Sequence, residues 1–242
     1  MFYVDIHNHM LPGVDDGSQS MEQSMKMLKI AYEEGIRAVC LTPHYMPPQY
    51  AHTAEELHKR KDQLQKRLIK NGIGIRLYLG NEIYYRDSAA EDVLGRKALT
   101  LENSRYVLVE FNVKESADRI ERAVHSLANS GLRPVIAHLE RYENLAGDPD
   151  MVEDLIDIGA YVQVNAGSIM GDYGHKLSKW TSALLKNDLV QMWATDAHNE
   201  TGRAPKMREC AEYLTRKFGE EYARLLLWEN PCKVIENKFI HE

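Results

Sequence analysis

Residues 2–17 read FYVDIHNHMLPGVDDG, a short apolar run that passes directly into two histidines and an acidic loop. The run Phe2–Ile6 is rich in β-branched and aromatic residues, which predicts a strand buried on both faces. His7 and His9 are two residues apart, so their side chains point to the same side if the extended backbone continues. The stretch therefore predicts a strand that is followed, at its carboxyl end, by side chains of a functional site.

Six further apolar runs have the same character and alternate with longer amphipathic stretches. The predicted strands are Phe2–Ile6, Ala38–Thr42, Ile75–Gly80, Tyr106–Glu110, Pro134–Ala137, Tyr161–Val164 and Val190–Ala194. Helical periodicity predicts helices at Ser18–Glu34, Thr53–Lys70, Ser116–Ser130, Pro149–Ile158, Lys176–Lys186, Pro205–Lys217, Glu220–Trp228 and Pro231–Asn237. The second of these helices opens with a capping-box pattern, Thr53 followed three residues later by Glu56.

Alternating strands and helices predict an α/β protein with a parallel sheet. We favour a single distorted (β/α)7 barrel, similar to a TIM barrel and followed by C-terminal helices, over an open doubly wound sheet. The glycine-rich motifs of nucleotide-binding proteins do not follow any predicted strand. Because neither a linker nor a repeat divides the sequence, residues 1–242 are expected to form one domain.

The composition excludes several classes of function. The chain has 242 residues, of which 44% are hydrophobic and 27% charged, as in ordinary globular proteins. A net charge of -6 argues against nucleic acid as the main partner. The apolar runs are shorter than the ~18 residues of a membrane span, and no signal peptide is recognisable. The three cysteines are expected to be reduced, in a cytoplasmic protein.

Side chains that can bind metal ions follow most of the predicted strands. The carboxyl ends of the strands in a parallel barrel meet at one mouth, where active sites lie. Nitrogen and oxygen donors without cysteine suit Mn, Fe or Zn rather than a structural zinc site. Two or three ions that share a carboxylate are the natural arrangement for this number of donors. The nine candidate ligands are His7, His9, Asp16, His44, Glu82, Glu110, His138, Asp196 and His198.

Each candidate also has an ordinary structural interpretation. A His-x-His pair can arise by chance, a single glutamate can be a solvated charge, and a single histidine can belong to the core. We favour a metal site because such residues recur at separate strand ends along the chain. The other histidines lie in predicted helices, loops or the tail and are interpreted as structural; they are His52, His58, His125, His175 and His241.

These segments resemble the PHP-type bacterial tyrosine-protein phosphatases that are encoded with capsule and exopolysaccharide genes. The likeness spans nearly the whole chain, and the Asp-Asp-Gly loop and the His-x-Glu-Arg-Tyr segment are more particular to the phosphatase branch than the His-x-His start. The matching segments are 5–9 (DIHNH), 11–17 (LPGVDDG), 42–44 (TPH), 80–84 (GNEIY), 110–111 (EF), 135–142 (VIAHLERY), 162–165 (VQVN) and 195–199 (TDAHN).

The resemblance implies a PHP fold and a cluster of three metal ions, usually manganese. It implies that one ion is held by His7, His9, Glu82 and Asp196. Glu82 would bridge to a second ion, which is completed by Glu110 and His138. The third ion would be held by Asp16, His44 and His198. Arg141 and Arg203 match phosphate-binding arginines of the family, and the alternative for both is a surface salt bridge.

The resemblance further implies hydrolysis of phosphotyrosine by metal-activated hydroxide, with a cognate tyrosine kinase of polysaccharide synthesis as the partner. Two alternatives stay open, a PHP phosphoesterase for a small metabolite such as histidinol phosphate and an inactive PHP domain that binds a partner. Cys210 and Arg216 have the Cys-x5-Arg spacing of cysteine phosphatases, but Cys210 lies on an apolar helical stripe and is interpreted as core. The loop 45–52, with Tyr45, Met46 and Tyr50, is expected either to flank an aryl group or to pack as an ordinary barrel loop.

Overall fold

A computed structural model describes residues 1–240 and has an α/β architecture, which confirms the predicted class. Its strands pair in parallel throughout. Within the described residues the strands are β1 (Tyr3–Asp5), β2 (Ile36–Leu41), β3 (His44–Tyr45), β4 (Arg76–Leu79), β5 (Glu82–Tyr84), β6 (Tyr106–Glu110), β7 (Arg133–Ile136), β8 (Tyr161–Asn165) and β9 (Met192–Ala194). They form a three-stranded sheet of order β1-β2-β4 and a curled six-stranded sheet of order β3-β5-β6-β7-β8-β9.

The sequence predicted seven strands, whereas the described residues form nine because two of the predicted strand positions are interrupted. Pro43 follows β2 and has no N–H with which to continue the ladder. After β4, Gly80 lies so close to its neighbour that a Cβ there would be 3.1 Å from the Leu101 Cα. Beyond these breaks β3 and β5 pair with each other, with His44 opposite Glu82. The interruptions therefore place two predicted ligands side by side.

Backbone hydrogen bonds connect the two sheets just beyond β1 and β9. The His9 N–H donates to the Ala197 carbonyl at 2.8 Å, and the Asp196 N–H donates to the His7 carbonyl at 2.8 Å. Asn8 and Ala197 form a parallel bridge between the same segments. The His-x-His and Asp-x-His segments therefore run side by side.

The helices pack against the sheets through apolar faces. They are α1 (Met21–Glu34), α2 (Ala54–Lys70), α3 (Ala89–Leu94), α4 (Ala117–Asn129), α5 (Pro149–Asp157), α6 (Ala166–Met170), α7 (His175–Lys186), α8 (Arg208–Phe218), α9 (Glu220–Arg224) and α10 (Asn230–Ile235). The capping box predicted at the start of α2 is confirmed, with reciprocal hydrogen bonds between Thr53 and Glu56. The described helices include none long and apolar enough to span a membrane.

Several helix boundaries differ from the predictions, and α3 and α6 were not predicted. The helix predicted from Pro205 begins only at Arg208, where the Glu34 carboxylate accepts hydrogen bonds from the N–H groups of Met207 and Arg208. A side chain of α1 thus satisfies the first amides of α8, which local sequence does not reveal. The helix predicted at Glu220–Trp228 is α-helical only to Arg224 and continues as a wider π turn to Glu229.

The strands are apolar on both faces, as the sequence predicted. In β6, Val107 and Val109 pack into the large core between sheet and helices, whereas Tyr106 and Leu108 join a second, inner apolar cluster. Successive strand residues point to opposite faces, so both layers are built from the same short runs. Polar side chains enter this interior at the carboxyl ends of the strands, where the predicted ligands lie.

Candidate metal centre

All nine predicted ligands lie together at the carboxyl ends of the strands. Their nitrogen and oxygen donors form four overlapping groups, and the donors of each group lie within 4.8 Å of one another. The groups are His9, Asp16, His44 and His198; His7, His9 and Glu82; His7, His138 and Asp196; and His44, Glu82 and Glu110. The fold thus brings together the residues predicted from the sequence. That some of them belong to two donor groups is a feature of the tertiary structure.

Glu82 lies at the centre of the cluster and is 1% exposed. Its Oε1 is 3.0 Å from His7 Nε2 and 3.1 Å from His138 Nε2. Its Oε2 is 3.1 Å from both His9 Nε2 and His44 Nδ1. Burial alone would raise the pKa of Glu82, but the surrounding imidazoles outweigh it and hold that pKa well below the usual range. A charged carboxylate with two imidazoles on each oxygen can act as a bridging metal ligand.

His44 lies between two of the donor groups. Its Nδ1 is 3.0 Å from Glu110 Oε1, and its Nε2 is 3.4 Å from Asp16 Oδ1. Glu110 also approaches His138 Nε2 with its other oxygen, at 3.7 Å. His44 therefore connects the Glu110 side of the centre to the Asp16 side.

Asp16 and His198 form the more open edge of the centre. The Asp16 side chain is 53% exposed, and its Oδ1 is 3.7 Å from His198 Nε2. The hydrogen bond from His44 lowers the pKa of Asp16 to about 2. Burial and repulsion by His9 lower the pKa of His198 to about 4, so this imidazole is neutral at pH 7. Both groups are thus in the protonation state that binds metal ions.

Asp196 holds both of the predicted arginines. Its Oδ2 accepts from Arg203 Nη2 at 2.7 Å and from Asn165 Nδ2 at 2.9 Å, and it lies 2.9 Å from Arg141 Nη1. Its Oδ1 faces imidazoles at 3.5–3.6 Å. The two arginines, with side chains 22% and 33% exposed, therefore pair with a buried carboxylate of the centre rather than with a surface group.

The donor atoms fit metal ions better than they fit hydrogen bonds. His7 Nε2, His9 Nε2 and His44 Nδ1 are buried and lack a well-directed hydrogen bond to any described residue. Carboxylate oxygens nevertheless lie 3.0–3.1 Å from each of them. Because buried polar atoms are normally satisfied, nitrogens crowded around shared carboxylates indicate a site built for cations.

The centre also attracts positive charge. Burial disfavours a protonated imidazole, yet the hydrogen bond to Asp15 and the negative charge of Glu82 outweigh it and raise the pKa of His9 to about 10. In the same way, Asp16 and Glu110 outweigh burial and raise the pKa of His44 to about 12. Carboxylates that raise the pKa of neighbouring histidines this strongly provide negative charge. Divalent cations compete with protons for that charge.

Asp15, to which the sequence analysis gave no separate role, orients His9. Its Oδ2 is 2.7 Å from His9 Nδ1 and accepts from the His44 N–H at 3.1 Å. Its Oδ1 accepts from the Gly17 N–H at 3.0 Å. A Cβ at Gly17 would lie 2.2 Å from the His9 carbonyl oxygen, so this loop requires glycine. The sequence signal for the role of Asp15 was its position next to Asp16, in a loop that ends with glycine.

Gln163 is a second buried residue that the sequence analysis gave no individual role. Its Oε1 is 2.8 Å from His7 Nδ1 and accepts from the His138 N–H at 3.0 Å. Its Nε2 donates to Asn165 Oδ1 at 2.8 Å, and Asn165 in turn donates to Asp196. One amide thus links three of the predicted ligands. The signal in the sequence was a glutamine within an otherwise apolar strand.

The loop after β3 has two interpretations from the sequence, a rim that flanks an aryl group and an ordinary barrel loop. Tyr45 is 6% exposed and belongs to the core, which agrees with the interpretation as an ordinary barrel loop. Tyr45 points inward because it is paired in β3 one residue after His44, on the opposite face of the strand. Tyr50, by contrast, is stacked on the His44 ring with centroids 5.7 Å apart.

Residues interpreted as structural lie apart from the centre. Cys210 is 1% exposed and packs in the core, and burial raises the pKa of its thiol, which confirms the core interpretation. Four further histidines lie outside the donor groups found among residues 1–240, namely His52, His58, His125 and His175. The remaining one, His241, lies outside the described residues.

An α/β fold that gathers nine nitrogen and oxygen donors beside two arginines is typical of metal-dependent hydrolases that act on phosphoric monoesters. Comparison with known families agrees with this class. Residues 3–236 match the sequence profile described as "Capsular polysaccharide synthesis, CpsB/CapC", and the chain belongs to this family. The resemblance noted in the sequence is thereby confirmed.

Two curated relatives match over nearly their whole length. The chain is 33% identical to the tyrosine-protein phosphatase CpsB of Streptococcus pneumoniae, over 98% of this chain and 100% of the relative. It is 32% identical to the tyrosine-protein phosphatase YwqE of Bacillus subtilis strain 168, over 98% and 93%. A crystal structure from work on YwqE and CpsB, described as "unique metal-dependent tyrosine phosphatases", matches with a TM-score of 0.92 and 32% identity, over 98% of this chain and 95% of the other.

Proposed function

We propose that this chain is a metal-dependent protein-tyrosine phosphatase, which hydrolyses phosphotyrosine through attack by hydroxide. The observation that carries this proposal is the set of nine converging donors beside two arginines that share Asp196. The names of its relatives support the same activity. An inactive binding module is disfavoured because such a module gains nothing from a complete set of donors.

We assign two or three divalent ions to the nine donors, with Mn²⁺ as the first choice and Fe or Zn as alternatives. Support for Glu82 as the bridging ligand comes from its two oxygens, each with two imidazole nitrogens within 3.1 Å. Support for Asp16, His44 and His198 as one binding group comes from their mutual donor distances. Nitrogen and oxygen donors of this kind suit all three metals.

The residues around the centre support a mechanism of phosphoryl transfer. Divalent ions bound there would supply hydroxide near neutral pH and offset the charge of the phosphate. Arg141 and Arg203 would bind phosphoryl oxygens with the N–H donors that their contacts to Asp196 leave free. Asp196 orients both guanidinium groups before the substrate arrives, so little reorganisation is required. The phenol of the leaving tyrosine has a pKa of about 10, so the phenolate needs less help from a general acid than an alkoxide does.

We further propose that the physiological substrate is a phosphotyrosine protein, specifically a cognate bacterial tyrosine kinase that regulates capsule or exopolysaccharide synthesis in the cytoplasm. Support comes from the family description and from the tyrosine-phosphatase names of the relatives. A small metabolite such as histidinol phosphate is the alternative substrate.

For the fold as a whole, we propose a single PHP-type domain over residues 1–242 built on one distorted (β/α)7 barrel. If β2 with β3, and β4 with β5, are counted as two interrupted strands, seven strand positions result. The backbone bonds between the segments after β1 and β9 support closure of the ring.

The substrate class is tested with three substrates at one Mn²⁺ concentration: a phosphotyrosine peptide, the matching phosphoserine peptide and histidinol phosphate. We expect kcat/KM to be at least about tenfold higher for phosphotyrosine, since phenolate is the better leaving group.

Metal dependence is a separate test. EDTA should abolish hydrolysis and added Mn²⁺ should restore it, while Cys210→Ser serves as the matched control and should retain full activity. A clear preference for histidinol phosphate would contradict the assignment, and an inactive but folded Cys210→Ser protein would contradict the metal mechanism.

A separate prediction concerns the positioning of the ligands by Gln163. In Gln163→Leu, His7 Nδ1 and the His138 N–H lose their shared acceptor, so we expect metal affinity to fall about 10- to 100-fold. Titration of the metal-free protein against a chromogenic chelator measures this. Gln65→Leu is a matched control, because within residues 1–240 the Gln65 side chain bonds to the backbone of Leu77 in β4 and of the preceding Ile75. Equal affinities in the two variants would show that Gln163 has no positioning role.

A further inference from the structure

A cavity of about 740 Å³ opens beside Arg141, adjacent to the nine-donor centre. One wall is the segment 140–149, which follows β7, and the other is α7 together with Tyr173. Arg141 belongs to both places, because its guanidinium contacts Asp196 at 2.9 Å and also lines this cavity. A substrate whose phosphate is bound by Arg141 therefore has room to continue along α7. We call this cavity the α7 groove.

Helix α7 presents one continuous face to the α7 groove. Lys176, Lys179, Trp180 and Ala183 line it and occupy positions i, i+3, i+4 and i+7, which share one side of a helix. Both lysines are exposed, and neither has a carboxylate within 4 Å in the part of the chain that is described. Two unpaired ammonium groups thus stand one turn apart over an apolar floor.

The α7 groove is positive on a protein that is negative overall. Its lining sets Arg141, Lys176 and Lys179 against Glu140 and Glu143, an excess of one positive charge, whereas the net charge of the chain is -6. Of the two glutamates in the lining, Glu143 is exposed, while Glu140 is fully buried and accepts a hydrogen bond from another element. The first turn of α7 also lacks an acidic residue and a side-chain cap, so its amides add to the positive potential.

The mouth of the groove offers an aromatic surface. Tyr173 is 41% exposed, and the Arg141 guanidinium lies 4.9 Å from its ring centroid. Trp180 forms part of the floor with only 7% of its surface exposed. Aromatic and apolar surface next to a few fixed charges is typical of sites that bind a ligand in a defined orientation. A peptide chain with an acidic side chain matches both features.

We propose that the α7 groove binds the peptide beside the phosphotyrosine and selects substrates that carry an acidic residue near it in the sequence. The charges of Lys176 and Lys179 make this selection, since opposite charges favour the right partner and like charges reject the wrong one. The inference rests on the proposed phosphatase function and adds a sequence preference to it.

The test compares two phosphotyrosine peptides that differ only in their flanking residues, aspartate and glutamate in one and lysine in the other. Each kcat/KM is divided by that for para-nitrophenyl phosphate, which has no flanking residues and so corrects for the amount of active enzyme. We expect the Mn²⁺-loaded protein to prefer the acidic peptide by about tenfold, and this preference to weaken in high salt. In K176E/K179E the preference should vanish or invert.

The matched control is K66E/K70E, which makes the same charge change at exposed lysines of α2. This variant should retain the preference for the acidic peptide, because it changes the net charge of the protein without changing the α7 groove. Equal rates on the two peptides, or a preference that K176E/K179E leaves intact, would overturn the inference while the phosphatase activity stands. If the Mn²⁺-loaded protein hydrolysed neither peptide nor para-nitrophenyl phosphate, the proposed function and this inference would both be overturned.

Discussion

Glu82→Gln is expected to lower kcat/KM for phosphotyrosine by about 10³-fold or more and to release metal from the purified protein. Each Glu82 oxygen serves two imidazoles, and an amide replaces one of these oxygens by an N–H donor that cannot bind a cation. Loss of a bridging carboxylate removes several kcal/mol of charge stabilisation, and each 1.36 kcal/mol corresponds to about a tenfold change in rate.

Elemental analysis after desalting, together with rates on a phosphotyrosine peptide, measures both effects of Glu82→Gln. The control is Glu91→Gln, which makes the same substitution at an exposed glutamate of α3 and should retain both metal and activity. Metal content equal to that of the unmodified protein would refute the bridging assignment, because Glu82 would then be dispensable to the centre.

Arg141→Ala is expected to show the opposite combination, with metal retained and kcat/KM reduced about 10²-fold. The guanidinium lies 2.9 Å from Asp196 and is placed to bind phosphate, but it donates no lone pair to a metal ion. Loss of one charge-assisted donor to a transition state typically costs this much. Para-nitrophenyl phosphate is the substrate of choice, because it excludes any effect through the α7 groove.

Arg119→Ala is the matched control for Arg141→Ala, because Arg119 is partly exposed and pairs with surface carboxylates. It is expected to change neither metal content nor rate. If Arg141→Ala lost as much metal as Glu82→Gln, Arg141 would be a structural partner of Asp196 and its assignment to phosphate would be wrong.

Much of the centre was predictable because its histidines and carboxylates lie at the carboxyl ends of predicted strands. Short apolar runs predict strands buried on both faces, and parallel strands bring their carboxyl ends to one edge. Histidines and carboxylates that directly follow such runs must therefore converge, whatever the details of packing. The same local logic explains why the capping box at Thr53 and the core position of Cys210 were correctly predicted.

Other features depend on which strand lies beside which, and in what register. The pairing of His44 with Glu82 arises because two strands break and resume in a different sheet. Tyr45 points into the core for the same reason, and the sequence alone left this position open. The cap that Glu34 provides for α8 connects residues more than 170 positions apart.

The sequence by itself determined the α/β class, the nine donors and the family resemblance, because residue type and local periodicity suffice for these. Only the tertiary structure decided how the donors are shared, that Asp15 and Gln163 orient the histidines, and that both arginines meet on one oxygen of Asp196. Most of these depend on distances between atoms far apart in the chain, as between Gln163 and His7. Such distances are fixed by strand register and side-chain packing, which no local pattern of residues encodes.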